Sequence, residues 1–204
     1  MKIKLINTLI FFSLLFSLYS CFNSHCINLF FEQNETYWTD VYSKGDTLIF
    51  TSNFANGLAN HNDTIFIVDK RTYKPKGDCN PIEVSNYDRE SCIVDYAYKH
   101  DTILSDNDYF VQHVKENTGL SLPVIRVYGL EYSKQILNDT TIILKATGIK
   151  LEDCYTFHKQ DCFNSLPKFK IKTFIWSKKQ GLVMFIGESG EKFELLKKIH
   201  RPKK

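Results

Sequence analysis

The chain is short of three things: net charge, an apolar run long enough to span a bilayer, and the Cys-x2-Cys spacing of structural zinc sites. Residues 1–20 hold two of the 26 basic residues, Lys2 and Lys4, and none of the 23 acidic ones, so the remainder carries 24 bases against 23 acids. Near-neutrality removes the electrostatic footprint that nucleic-acid binding requires. The longest apolar stretch, Leu5 to Leu18, is interrupted by Asn7, Thr8, Ser13 and Ser17. A transmembrane helix needs roughly 20 predominantly apolar residues, so this stretch is too short and too dilute. Alanine and arginine are scarce beside lysine, asparagine, isoleucine, phenylalanine and tyrosine, the bias of an AT-rich genome.

What is present begins with an address. Lys2 and Lys4 form a positive n-region ahead of an apolar stretch of signal-peptide size. The segment ends Leu18-Tyr19-Ser20-Cys21, which resembles the lipobox of bacterial lipoproteins, where the cysteine is lipidated and becomes the mature N-terminus. Leu18 and Ser20 fit that pattern, and Tyr19 is bulkier than the usual residue. The resemblance implies lipidation at Cys21 and a membrane-anchored protein of the cell envelope, facing the periplasm or the cell exterior. The other reading is ordinary cleavage after Ser20, with Cys21 joining a disulfide to Cys26. The expected organisation is a signal peptide over residues 1–20, a lipid-anchored tether over 21–36, a single β-rich domain over 37–199 and a basic tail over 200–204. Without its first 20 residues the 204-residue chain keeps 184, enough for one domain with a real core.

Six cysteines agree with an oxidising compartment: Cys21, Cys26, Cys79, Cys92, Cys154 and Cys162. The simplest connectivity is local. It pairs Cys79 with Cys92 across a turn-rich loop and Cys154 with Cys162 across a shorter one, leaving Cys26 near the anchor.

The dominant hydrophobic period is two. Thr47-Leu48-Ile49-Phe50-Thr51 and Thr64-Ile65-Phe66-Ile67-Val68 read as strands, joined by an asparagine-rich loop. Asp101 and Asp139 open similar runs, 38 residues apart, but the intervening residues do not align as a repeat. The C-terminal third reads as a three-stranded meander. Phe169, Ile171, Thr173 and Ile175 line one face of its first strand, Gly181 and Gly190 sit in its turns, and Leu182–Ile186 and Lys192–Leu196 follow. One helix is expected over Asn107–Asn117, capped by Ser105 or Asp106, with Phe110, Val111 and Val114 on one face. The expected fold is mainly β, an antiparallel up-and-down sheet (curved sheet, half-barrel or sandwich) with one or two short helices.

Cys21, the strand Gly45-Asp46-Thr47-Leu48-Ile49-Phe50 and the closing Trp176-Ser177-Lys178-Lys179-Gln180-Gly181-Leu182-Val183 together resemble small Gram-negative lipoproteins of unknown function. The closing part also resembles the strand–turn–strand of lipoprotein-carrier-like half-barrels. That resemblance implies a curved sheet around an apolar ligand and no catalytic residues.

The chemistry candidates are sparse. Cys154-x3-His158-x3-Cys162 would place three ligands on one stripe of a helix, but a disulfide is the simpler use of the two thiols. Gly187-Glu188-Ser189-Gly190 is one residue short of a nucleophile elbow and lies in a hairpin turn. Ser165-x2-Lys168 is broken by Pro167, and neither His100-Asp101 nor the carboxylates Asp95, Asp106, Asp108, Glu152 and Asp153 suggest a shared cleft. Tyrosines at 37, 42, 87, 96, 98, 128, 132 and 155 are expected to pack across strands with hydroxyls in water, or to form an exposed binding row. The expectation is a non-enzymatic binding protein without cofactor, metal or nucleic acid. Its partners would be the membrane, through the anchor, and an apolar ligand or envelope protein. The alternative is a secreted hydrolase with a dispersed site.

Overall fold

Alternating β-branched and aromatic residues put apolar side chains on one face of a strand, and the chain answers that pattern almost throughout. The computed structural model describes residues 26–53, 61–77, 79, 87–98, 109–118, 121–128, 130–132, 139–158, 164–165 and 171–201. Cys21, His25, Cys162 and the stretch holding His100, Asp101 and Asp106 lie outside them. The first half runs β1 (Ile27–Leu29), the helix α1 (Tyr37–Asp40), β2 (Thr47–Asn53), β3 (Asn62–Tyr73), β4 (Tyr87–Arg89), β5 (Ser91–Tyr98) and β6 (Tyr109–Val114). The second runs β7 (Val124–Val127), β8 (Leu130–Tyr132), β9 (Asp139–Ile143), β10 (Lys150–His158), β11 (Asn164–Ser165), β12 (Ile171–Ser177), β13 (Gly181–Gly187) and β14 (Lys192–Ile199).

Twelve strands form one sheet in the order β11-β8-β7-β6-β5-β3-β2-β14-β13-β12-β10-β9. Every neighbouring pair in it is antiparallel. The sheet curls until its ends face each other. Tyr132 of β8 meets Phe157 of β10 edge-on at 4.2 Å and Phe174 of β12 at 6.1 Å, across nearly the whole strand order. β11 follows β10 in the chain but pairs with β8, so the polypeptide itself bridges the two ends.

The interior is filled with rings. Trp38 and Tyr42, on and just after α1, enter it and contact Trp176 at 6.2 and 5.6 Å, while Phe110 lies 5.3 Å from Tyr42 and 5.4 Å from Trp176. Each such pair contributes about 0.5–1.5 kcal/mol beyond the area it buries. The Tyr42 hydroxyl accepts the Leu182 N–H at 2.7 Å. A Cβ on Gly181 would stand 1.9 Å from that hydroxyl oxygen, and Gly181 has φ +82°, so only glycine fits. Carbonyls at the C-terminal end of α1 are covered by cations. Lys70 donates to Thr39 at 3.0 Å, and Lys198 donates to Val41 while its Nζ sits 4.6 Å over the Tyr42 ring.

Four expectations are corrected. Tyr109–Val114 is a strand, not part of a helix: Val111 and His113 stand opposite Val94 and Cys92 of β5. In β12 a register shift between Ile171 and Thr173 breaks the expected common face. Phe174 stacks on Phe157 inside the barrel, whereas Thr173 reaches the exposed His158 outside it, at 3.2 Å. Buried tyrosine hydroxyls also bond to protein, with Tyr98 donating to Tyr96 at 3.0 Å.

The fourth correction concerns sulfur. Cys79 is joined to Cys26, with Cα atoms 5.5 Å apart, and not to Cys92, which is a buried thiol. Cys154 is a buried thiol as well, so its expected bond to Cys162 is absent. Burial, with Asp153 beside it, pushes the Cys154 thiol up to about 11. The disulfide ties residues 26–36 to the domain as a strap. β1 pairs in parallel with β4, Phe31 stacks on the buried His113 at 4.3 Å, and the Phe31 N–H donates to Glu90 at 2.8 Å. The strap ends in a buried ion pair, Glu35 with Lys115 at 2.7 Å, and Glu35 also accepts N–H groups of Glu32 and Ser121. Burial alone would raise the Glu35 carboxyl, but these donors prevail and hold it at about 2.

Candidate functional site

One end of the curled sheet borders a cavity. β3 runs from Asp63, at that end, to Thr72 and Tyr73 near the strap, a span of roughly 30 Å at strand rise. β13 gives the same polarity: Leu182 at its start touches Tyr42, and Phe185 and Gly187 near its finish border a cavity of about 400 Å³. The floor of the cavity is Ile171, Tyr128, Phe185 and Phe193, and Asp63, Glu188, Ser189 and Glu191 complete its wall. Phe185 and Phe193 stack at 4.7 Å and Tyr128 lies 4.9 Å from Phe185.

Tyr128 is the most constrained residue here. It has φ +48°, a region that side chains other than glycine seldom occupy, and it is the only non-glycine residue with positive φ among those described. Three contacts hold it there. Its N–H donates to the Tyr98 hydroxyl at 2.5 Å, its ring stacks on Tyr98 at 4.0 Å, and its hydroxyl donates to Asp63. Strain of this kind costs of order 1–3 kcal/mol, and it persists only where the surroundings over-determine it, most often beside binding sites.

The sequence candidates disperse. Asp95 pairs with Arg71 at 2.8 Å, Glu152 with Lys150 at 2.7 Å and Asp153 with Lys179 at 3.7 Å, all at the surface. Cys154 and His158 share a strand, so four residues separate them by roughly 13 Å, too far for one metal ion. Among the described residues no group of three His, Cys, Asp or Glu is placed to hold a metal. Ser189 does reach the cavity, but from the turn between two strands, closed by Gly190 N–H donating to the Gly187 carbonyl at 3.0 Å. That is not the strand-to-helix turn that exposes a nucleophilic serine. Cys92 and His113 stand opposite each other beneath the strap; burial lowers the His113 pKa, and its Nε2 bonds the Ser121 carbonyl at 2.9 Å.

Of the cavity residues, Tyr128 is expected from the sequence in a tyrosine row that packs across strands or binds, Ile171 on the apolar face of its strand, and Gly187, Glu188 and Ser189 in a hairpin turn. A second hollow, of about 460 Å³, lies on the outer face, where Phe66, Val68 and Ile199 are exposed beside Lys44, His200 and Arg201. His200 is tied there to the buried Asp46 at 3.0 Å. Comparison with known protein families, curated proteins and solved structures returns no match for the chain.

Proposed function

We propose that the mature protein is an envelope lipoprotein, anchored through Cys21, which binds a small apolar or amphipathic molecule at the ring-walled end of its barrel and performs no chemistry on it. The observation that carries this reading is the cavity itself. Ligand sites are concave and mostly apolar, with a few placed polar groups, and a floor of Ile171, Tyr128, Phe185 and Phe193 beside carboxylates has that make-up. A Cys26–Cys79 disulfide suits an oxidising compartment, which supports the exported half of the proposal.

Two measurements test the two halves. Metabolic labelling with a palmitate analogue should mark the wild type and not Cys21→Ala; equal labelling of both removes the anchor. The neutral fluorophore N-phenyl-1-naphthylamine should brighten on binding the purified protein, and Ile171→Trp, which fills the floor, should abolish that signal. Unchanged brightening in a folded Ile171→Trp variant would place the binding elsewhere and remove the cavity as the site.

A further inference from the structure

Beneath the strap, far from the cavity, two soft donors face each other. Cys92 of β5 and His113 of β6 are directly opposite in the antiparallel register, so their side chains share one face, with Cβ atoms about 4.5–5.5 Å apart. Cys92 is 4% exposed and His113 is fully buried at 0%. The His113 tautomer is fixed by its surroundings. Its Nε2 meets the Ser121 carbonyl at 2.9 Å, and a carbonyl only accepts, so Nε2 carries the proton and Nδ1 the lone pair. Ser121 leads into β7, on the side of β6 away from β5, and the bonding directions of the two ring nitrogens diverge widely. Nδ1 is thereby turned towards Cys92, and no hydrogen bond reaches it. Proteins rarely leave such a buried acceptor unused, because burying it without a partner costs stability.

We infer that Cys92 Sγ and His113 Nδ1 form a two-coordinate site for a soft monovalent metal ion, copper(I). Three properties of the site select that ion. Thiolate and imidazole are both good donors to copper. Zinc in structural sites takes four ligands, and among the described residues no group of three His, Cys, Asp or Glu is placed to hold a metal, whereas two donors in line satisfy a monovalent d10 ion. Charge is the third. Binding releases the Cys92 thiol proton to water, and thiolate, neutral imidazole and Cu⁺ then sum to zero. A divalent ion would leave a net positive charge in a dry site, and the nearby Glu35–Lys115 pair is already neutral in itself. The surrounding groups have supporting tasks. Thr72 donates its hydroxyl to Cys92 Sγ at 3.6 Å, Ser121 holds the imidazole tautomer, and Phe31 of the strap covers the ring at 4.3 Å.

Competition with bicinchoninate for copper(I), under anaerobic conditions with ascorbate, tests this on the mature protein. One ion should bind per chain, and excess zinc should not displace it. Cys92→Ser and His113→Gln should each weaken binding at least about hundredfold, and Thr72→Val about tenfold. Cys21→Ser, Cys154→Ser and Cys162→Ser should each bind as the wild type does. Copper-edge X-ray absorption of the loaded wild type should find one sulfur and one nitrogen neighbour, a readout that stands even where a variant fails to fold. Two sulfur neighbours, undiminished binding in folded Cys92→Ser, or no binding by the wild type would each overturn the site. The cavity plays no part in any of these results, so the binding reading above stands or falls separately.

Discussion

The strap end and the cavity end of this barrel are held by different chemistry. At the strap end the disulfide, a parallel strand pair, the Glu35–Lys115 ion pair and two inserted side chains, Trp38 and Tyr42, leave each other no room. At the cavity end one strained tyrosine is pinned by a ring and two hydrogen bonds beside about 400 Å³ of space. Close packing makes the first end intolerant of added or removed atoms. The second end already holds a void, so a change of side-chain volume there has less packing to disturb. Stability is concentrated at one end, and room for a ligand at the other.

Four measurements would break or sharpen that contrast, and urea unfolding followed by fluorescence of the buried Trp38 and Trp176 serves for all of them. Gly181→Ala should be the most damaging, losing at least about 4 kcal/mol, because the new methyl group collides with the Tyr42 hydroxyl at a positive-φ position. A loss below about 1 kcal/mol would show that Tyr42 moves freely and the strap end is not close-packed. Cys26→Ser, which opens a link across 53 residues, should cost about 3–4 kcal/mol. An unchanged midpoint under both reducing and oxidising conditions would mean that the strap is docked without the bridge.

Acid should act next, and at the strap end. The Glu35 carboxyl sits at about 2 in the folded protein against 4.5 for its ordinary value, so the unfolded chain binds its proton first on acidification. The stabilisation, about 3 kcal/mol, is complete above pH 4.5 and disappears as pH falls from 4.5 towards 2. His113 acts in the same sense over a higher window: its pKa is lowered by burial, so stability declines as pH falls below its ordinary 6.5. Glu35→Gln should flatten the profile between pH 4.5 and 2, and an unchanged slope would assign the effect to another carboxylate. Ile171→Ala, at the cavity floor, should cost least, under about 2 kcal/mol, because the void is already there. A loss of 4 kcal/mol would mean that Ile171 is ordinary core and the cavity has no functional shape.

The meander over β12, β13 and β14 was legible because short runs rich in β-branched and aromatic residues are separated by turns that carry Gly181 and Gly190, both at positive φ. The β6 segment misled because Phe110 and Val114 are four apart, a spacing that returns to the same face in a strand as well as a helix. The β12 face was misassigned for another reason: a bulge changes parity without leaving any mark in composition. The disulfide escaped because a short loop is the entropic default, whereas the strap brings Cys26 to Cys79 through strand pairing and burial. Which residues line the cavity could not be read. Asp63, Tyr128, Ile171, Phe185 and Phe193 come from separate stretches of chain and meet only after the sheet has curled.

The Cys26–Cys79 bond also sets the length of a leash. If Cys21 carries the lipid, only five residue steps separate the bilayer from a point bonded into the domain, at most about 18 Å when fully stretched. The domain then rides at the headgroups with its strap end downward, and it cannot swing far enough to sample a second membrane. On that anchor the cavity, roughly 30 Å of strand away at the other end of β3, would look out into the aqueous space. Such a vestibule meets molecules arriving from solution before they touch the lipid.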